Sequence, residues 1–254
     1  MGKNILITGS SSFLGNSLVS NDKENIYFTF GNRGSKNFNV QPINNVNEIK
    51  KLEIKDLYHF ANFQNENKDF VLSEEKDFIS SAVENGITNI LYSNTFWTDV
   101  EIYKDRPYVI HKKNIENFLK NLVNVKKIKL CVMMLGDIYG KNDFREKLIP
   151  FLVQNENKKL IKLKNNKDAE VNLVNVREIL DFVYTVNFNI EYEKVDLVGD
   201  TRTLFSIIET FKSVRDKEFQ TEYSNLKLDT LNYESTCDRN IKLKISIEDG
   251  FKDL

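Results

Sequence analysis

The chain opens on the apolar run Asn4-Ile5-Leu6-Ile7-Thr8 and turns at once into Gly9-Ser10-Ser11-Ser12-Phe13-Leu14-Gly15. A short aliphatic run halted by a glycine reads as a buried parallel strand. The residues from Phe13 to about Ser20 follow as a short helix. A strand that turns sharply into a helix aims backbone N–H groups and the positive helix end at an anion. Gly9 permits the tight turn, and Gly15 permits close packing of helix on sheet. Ser12 stands at the middle position, where a glycine would let a pyrophosphate approach. Its Cβ is expected to crowd the phosphates, while its hydroxyl can donate to one.

The rest of the first half repeats the strand–helix rhythm. IYFTF (26–30) is a second strand, halted by GNRG. LYHFANF (57–63) and TNILYS (88–93) are two more, separated by the amphipathic helix EEKDFISSAVENG, with Gly86 as its C′ residue. A helix over 107–122 carries Pro107 in its first turn, where a missing N–H costs little. The strand KIKLCVMML then ends at GDIYG. Alternating strands and helices imply right-handed crossovers and a doubly wound parallel sheet covered on both faces. After residue 141 the order loosens: a helix FREKLIPFLVQ, a polar Asn/Lys hairpin, a helix around VREILDFVYTV, the strand VDLVG and the helix LFSIIETFK. This pattern divides the chain into a dinucleotide-binding domain over 1–140 and a small substrate lobe over 141–254, some of whose segments pack back on the first domain.

Charge excludes several classes of partner. The 254 residues carry 36 basic and 37 acidic groups, a net charge of −1, so no global field draws the chain to nucleic acid or an anionic membrane. The Lys-rich stretches KNLVNVKKIKL and NKKLIKLKNNK alternate Lys with apolar residues or Asn and read as solvated strand edges. Cys131 and Cys237 cannot build a disulfide framework, and Cys131 in LCVMML reads as a buried small hydrophobe. The chain enters a strand without a signal-like leader, and no apolar stretch approaches the roughly 20 residues of a spanning helix. A cytoplasmic protein is expected. His59 and His111 share no metal-ligand spacing with the cysteines, so no metal is expected.

The end of the second strand bears on cofactor choice. An acid there would accept from a ribose 2′-OH, whereas an arginine pairs with a 2′-phosphate. Gly31-Asn32-Arg33-Gly34 holds no acid, which favours NADP(H) over NAD. Tyr108 and Lys112 are four apart on the predicted helix and share a face. Two of the ten tyrosines satisfy Tyr-x-x-x-Lys, but Tyr223 with Lys227 lacks supporting context. An ammonium beside a phenol lowers its pKa from about 10, and a phenol tuned toward neutrality can exchange a proton with an alcohol or carbonyl. Ser93 ends the preceding strand, where a parallel sheet presents ligands, and its hydroxyl can hold the reacting oxygen.

TGSSSFLG, HFAN, YSNTFWTD, PYVIHK and LGDIYG occur in the order of the extended short-chain dehydrogenase/reductases, the sugar-nucleotide epimerase, dehydratase and reductase family. NLVNVREILDFV, VDLVGD and ISIEDGFKD continue the resemblance to the end of the chain. It implies a Rossmann-like α/β domain with a small C-terminal sugar-nucleotide lobe, and Ser93, Tyr108 and Lys112 as the catalytic set. The implied cofactor residues are Gly9, Ser11, Ser12, Phe13, Leu14, Gly15, Asn32, Arg33, Phe60, Ala61, Asn62, Tyr108, Lys112 and Ile138. Ser93, Asn94, Thr95 and Tyr108 would meet the substrate. A homodimer through the helices at 74–85 and 107–122 is also implied. Ser12, Val71, Met134 and Lys141 depart from the family pattern.

Family dehydratases carry an Asp-Glu pair after the catalytic hydroxyl residue, whereas Asn94-Thr95 follow Ser93, so elimination is not expected. The short gap between Ser93 and Tyr108 resembles the CDP-abequose synthase-like branch. That resemblance implies an NADPH-dependent reductase of a nucleotide-linked 4-keto-6-deoxy sugar, in lipopolysaccharide O-antigen or other surface polysaccharide biosynthesis. The alternatives are an NAD-dependent sugar-nucleotide epimerase and a non-catalytic dinucleotide sensor.

Overall fold

In the computed structural model, which describes residues 2–30, 40–225 and 233–254, the apolar runs become neighbours in one parallel sheet. The first half runs β1 (Asn4–Thr8), α1 (Phe13–Asn21), β2 (Ile26–Phe30), β3 (Val40–Ile43), α2 (Asn47–Lys51) and β4 (Asp56–His59). It continues through α3 (Leu72–Glu84), β5 (Asn89–Thr95), two 3-10 turns (Phe96–Asp99 and Glu101–Tyr103), α4 (Pro107–Lys126) and β6 (Lys129–Leu135). Next come β7 (Asp137–Tyr139), α5 (Leu148–Asn155), β8 (Leu160–Lys162), β9 (Glu170–Asn175) and α6 (Val176–Thr185). The chain ends with β10 (Tyr192–Leu197), β11 (Thr201–Thr203), α7 (Leu204–Arg215), β12 (Gln220–Glu222), β13 (Arg239–Asn240) and α8 (Ile247–Lys252).

Among the described residues the main sheet has eight strands in the order β13-β10-β6-β5-β4-β1-β2-β3. Its fold is the Rossmann-like, doubly wound arrangement. The chain moves outward from β1 through β2 to β3, then returns to lay β4 on the other side of β1. This reversal leaves a crevice at the carboxyl ends of β1 and β4, the usual place for a ligand in such a sheet. Successive residues of a strand face opposite sides, and β1 is buried on both. Ile5 and Ile7 pack with Leu18 of α1 and with Ile179 and Val183 of α6. Leu6 packs on the other side with Ile79 and Ala82 of α3 and Ile115 and Leu119 of α4. Burial on both faces accounts for the unbroken apolar run that marks this strand in the sequence.

The second half divides its elements between two places. β10 and β13 extend the main sheet, with β10 pairing β6 from Tyr192↔Leu130 to Leu197↔Leu135. The remaining strands form a β11-β9-β7 sheet and a β12-β8 pair, around a separate core that includes Leu152, Ile207, Phe211 and Phe251. Several boundaries differ from the sequence reading. β4 stops at His59 because its partner β1 ends at Thr8, the last pair of that ladder. β3 has four residues and α2 five, too few for a periodicity to announce them. α5 starts at Leu148, since Arg145 is turned aside by its bonds to Asp143. The expected Asn/Lys hairpin does not form: β8 instead pairs in parallel with β12, Ile161 opposite Thr221. Among the described residues no helix is long and apolar enough to cross a membrane.

Candidate active site

The carboxyl ends of β1, β4 and β5 open onto a cleft of about 1250 Å³, closed on its far side by β7, α5 and the β8–β9 segment. The glycine turn forms one end. Gly9 has φ +75, and a Cβ there would stand 3.0 Å from the Ala61 nitrogen. A Cβ on Gly15 would lie 2.1 Å from the Gly9 carbonyl oxygen, so α1 can approach the turn only with glycine at that position. Ser12 is the N-cap of α1, and its Oγ accepts from Gly15 N at 3.1 Å. That bond uses an acceptor lone pair and leaves the hydroxyl proton available to an anion.

Ser11, Ser12, Phe13 and Leu14 line this end, while Gly9, Gly15 and Ala61 shape it from behind. Phe60 and Asn62 line the next stretch, and Ile138 faces them from β7. Asn62 Oδ1 is buried without a hydrogen-bond partner, an acceptor suited to a ribose hydroxyl. The turn, the open N-terminus of α1 and this acceptor fit a dinucleotide. Asn32 and Arg33 lie outside the described residues.

The three catalytic candidates meet in the middle of the cleft. Lys112 is only 2% exposed; its Nζ donates to the Ser93 carbonyl at 2.6 Å and stands 4.7 Å from the centre of the Tyr92 ring. Burial pushes the ammonium down to about 8, and the Glu75 carboxylate pulls the other way. The same Nζ lies 5.9 Å from the centre of the Tyr108 ring. The Tyr108 phenol, however, is pushed up to about 12, first by burial and then by Asp137. This corrects the expectation of a phenol tuned toward neutrality: loss of water outweighs the lysine, whose ammonium is committed to Ser93. Tyr108 is therefore a protonated donor at neutral pH.

The substrate candidates divide by their commitments. Ser93 Oγ makes only a long bond, 3.4 Å, to the His59 carbonyl and can swing to a ligand. Thr95 Oγ1 accepts from Trp97 N and keeps its own proton. Asn94 borders the cleft, but its amide is held by Glu116 at 2.7 Å and by Thr95 N at 2.8 Å.

Sequence reasoning missed two parts of the site. The 3-10 turns between Ser93 and Tyr108 set Trp97 edge-on to Tyr108, centres 6.2 Å apart, with Tyr103 4.8 Å behind it. Arg106 covers both rings, 4.1 Å from Tyr103 and 5.0 Å from Trp97. The aromatic residues crowded into so short a gap were the available signal. Asp137, on the opposite wall beside Ile138, acts on both Tyr108 and Tyr103. Burial raises its own carboxyl, opposed by Lys147 and Arg145. Phe144, Lys147, Lys162 and Lys164 complete that wall.

No protein-family model matches the chain, and no curated protein matches it in sequence. Solved structures match it closely in shape. MoeE5 in complex with UDP-glucuronic acid and NAD superposes with a TM-score of 0.77 at 11% identity, covering 98% of this chain and 97% of that one. UDP-N-acetylglucosamine 4-epimerase from Bacillus cereus gives 0.77 at 15% identity, with 99% and 97% covered. dTDP-glucose 4,6-dehydratase from Bacillus anthracis in complex with NAD gives 0.75 at 14% identity, with 99% and 94% covered. The chain has their fold. The expectation of NADP(H) is corrected by these complexes, in which the bound dinucleotide is NAD. It rested on the composition of Gly31–Gly34 alone, and the presence of one arginine does not fix what faces the adenosine ribose.

Proposed function

We propose that the chain is an NAD-dependent oxidoreductase that exchanges hydride with a ring carbon of a nucleotide-linked sugar, working as a keto-sugar reductase. The observation that carries this reading is the meeting of the Tyr108 phenol, the Ser93 hydroxyl and the buried Lys112 ammonium in one cleft. Bound NADH would supply the hydride. The residues of the chain do the rest. Ser93, with Thr95 beside it, offers hydroxyl protons to the carbonyl oxygen and shares the charge that grows there. Tyr108 gives that oxygen its phenolic proton, as a general acid. Lys112 holds a positive charge near the phenolate left behind until a proton returns from solvent. Trp97 lines the cleft edge-on to Tyr108, an aromatic contact that suits the methyl group of a 6-deoxy sugar better than a hydroxymethyl group. Asn94 and Thr95 offer an amide and a hydroxyl where an elimination would need an acid and a base, which disfavours dehydration.

A second reading, an NAD-dependent epimerase, draws support from the several 4-epimerases that share the fold. In it the oxidised cofactor's positive charge must lower the Tyr108 phenol before that group can act as a base.

The test offers the purified protein NADH with CDP-, dTDP- and UDP-linked 4-keto-6-deoxyglucose, and separately offers it NAD with intact UDP-sugars. NADH oxidation lost in Tyr108→Phe establishes the reductase. Interconversion of UDP-sugars without net change in NAD establishes the epimerase. Dinucleotide binding with neither reaction removes both.

A further inference from the structure

Behind the floor of the cleft, α3, α4 and the end of β4 meet on one carboxylate. Glu75 Oε1 lies 2.8 Å from His59 Nε2, and Glu75 Oε2 lies 3.0 Å from His111 Nε2. Oε2 also accepts from Phe63 N at 2.6 Å. Glu75 and His59 have no exposure and His111 only 4%. A carboxylate so deep is tolerated only when hydrogen bonds replace its water, and here three do.

The bonding also fixes a tautomer. An ionised carboxylate only accepts, so His59 donates to it through Nε2. Burial lowers the His59 pKa, which favours the neutral ring, and its Nδ1 then accepts from the Thr8 hydroxyl 2.8 Å away. Thr8 is the residue before Gly9, and His111 is the residue before Lys112. The cluster thus ties the dinucleotide turn to the helix that carries Tyr108 and Lys112.

We propose that Glu75 is a positioning residue, the fixed counter-charge that keeps the buried Lys112 protonated and holds α4 against the cofactor turn. This rests on the reading of Lys112 as the partner of Tyr108. The groups facing Lys112 leave little else for that role. Tyr92 of β5 is a neutral phenol, raised well above its ordinary value by burial, and His59 of β4 is neutral. On α4, Glu116 spends its carboxylate on Asn94 and on Lys120, each at 2.7 Å. Asp137 across the cleft acts on Tyr108. Among the described residues, Glu75 is the anion whose charge acts on Lys112 against its desolvation. Without it, burial would carry Lys112 further toward the neutral amine, which cannot stabilise a phenolate.

The test reads Lys112 directly. Protein with ¹³C-labelled lysine is titrated by NMR, and the Lys112 resonance is assigned by its loss in Lys112→Arg. Glu75→Gln keeps the shape and removes the charge, and is expected to move the Lys112 midpoint acidward by about one pH unit. His111→Gln removes a hydrogen bond but keeps the carboxylate, and is expected to leave the midpoint near that of the unaltered protein. An unmoved midpoint in Glu75→Gln, or equal shifts in the two variants, would overturn the proposal and leave Glu75 a packing group. If Glu75→Gln does not fold, Glu75→Asp withdraws the charge by one methylene and must shift the midpoint in the same direction by less. No shift there overturns the proposal equally. The titration needs no turnover, so an inactive protein would sink the proposed function without deciding the role of Glu75. Where turnover is seen, the alkaline limb of its pH profile moves with the Lys112 midpoint.

Discussion

The two walls of the cleft are built in opposite ways. On the side of β4, β5 and α4, Lys112 is 2% exposed and Ser93 8%, with Glu75 of α3 fully buried behind them, and each is held by a partner on another element. On the facing wall Lys147, Lys162 and Lys164 stand exposed, and Phe144 is 80% exposed. The first wall carries Ser93, Tyr108 and Lys112, so on the proposed function it would set the chemistry. The second presents long cations and an unpacked aromatic that can be exchanged with little cost to the fold, so on the proposed function it would set which nucleotide sugar is held.

If that division is right, the largest loss comes from the smallest change on the buried wall. Tyr108→Phe removes one oxygen and is expected to lower turnover on the order of a thousandfold, with NAD affinity and thermal stability near those of the parent. Retained turnover in a steady-state assay would move the proton donor elsewhere. Gly15→Ala probes the same wall through the backbone. Its Cβ would stand 2.1 Å from the Gly9 carbonyl, so α1 must shift off the turn, at a cost of roughly 3 kcal/mol. The expected result in calorimetry is a lower melting temperature together with a loss of NAD binding. A variant as stable as the parent would show that the turn has slack.

The division also explains what was legible in the sequence. NILIT, IYFTF, TNILYS and KIKLCVMML declare themselves because both faces of the sheet are covered and each strand is apolar throughout. Gly9, Ser12 and Gly15 are legible because the turn between strand and helix demands them locally. The four-residue β3 and the β8–β12 pair carry no such mark: β3 is too short to show a pattern, and the three residues of β8 find a partner 60 positions away by tertiary context. In the site, Ser93, Tyr108 and Lys112 could be named from spacing and order. Glu75 could not, because His59 and His111 are 52 residues apart and only the docking of α3 on α4 brings them to one carboxylate. Nor could the rise of the Tyr108 phenol, which depends on burial that no pattern of four residues encodes.

A buried, depressed lysine makes the stability of the active wall depend on pH. Between about 8, where Lys112 titrates in the fold, and its ordinary 10.5, the unfolded chain binds the extra proton. Stability from this group therefore rises with pH through that window, by roughly 3 kcal/mol in all. Glu75 acts at the other end. Burial pushes its carboxyl up, but His111, His59 and the Phe63 N–H outweigh this and hold it down to about 2 from an ordinary 4.5, so its contribution is complete above 4.5 and is lost as pH falls toward 2. Urea unfolding from pH 7 to 10.5 is expected to show the alkaline rise in the parent and a flatter course in Lys112→Met. Equal slopes would mean that Lys112 is less buried in solution.

The facing wall is where the smallest effects belong. Lys164 stands exposed beside the cleft, so Lys164→Ala costs the fold no more than about 0.5 kcal/mol. A diphosphate within reach of its ammonium would lose on the order of 1 kcal/mol of attraction, a rise in KM of about fivefold with kcat unchanged. The rise is expected to fade as salt is added, because an exposed charge is screened over about 8 Å at physiological ionic strength. Lys147→Ala, at the start of α5, offers the same measurement from the neighbouring element. A fall in kcat from either lysine would break the division, because it would place an exposed cation in the chemistry rather than in recognition.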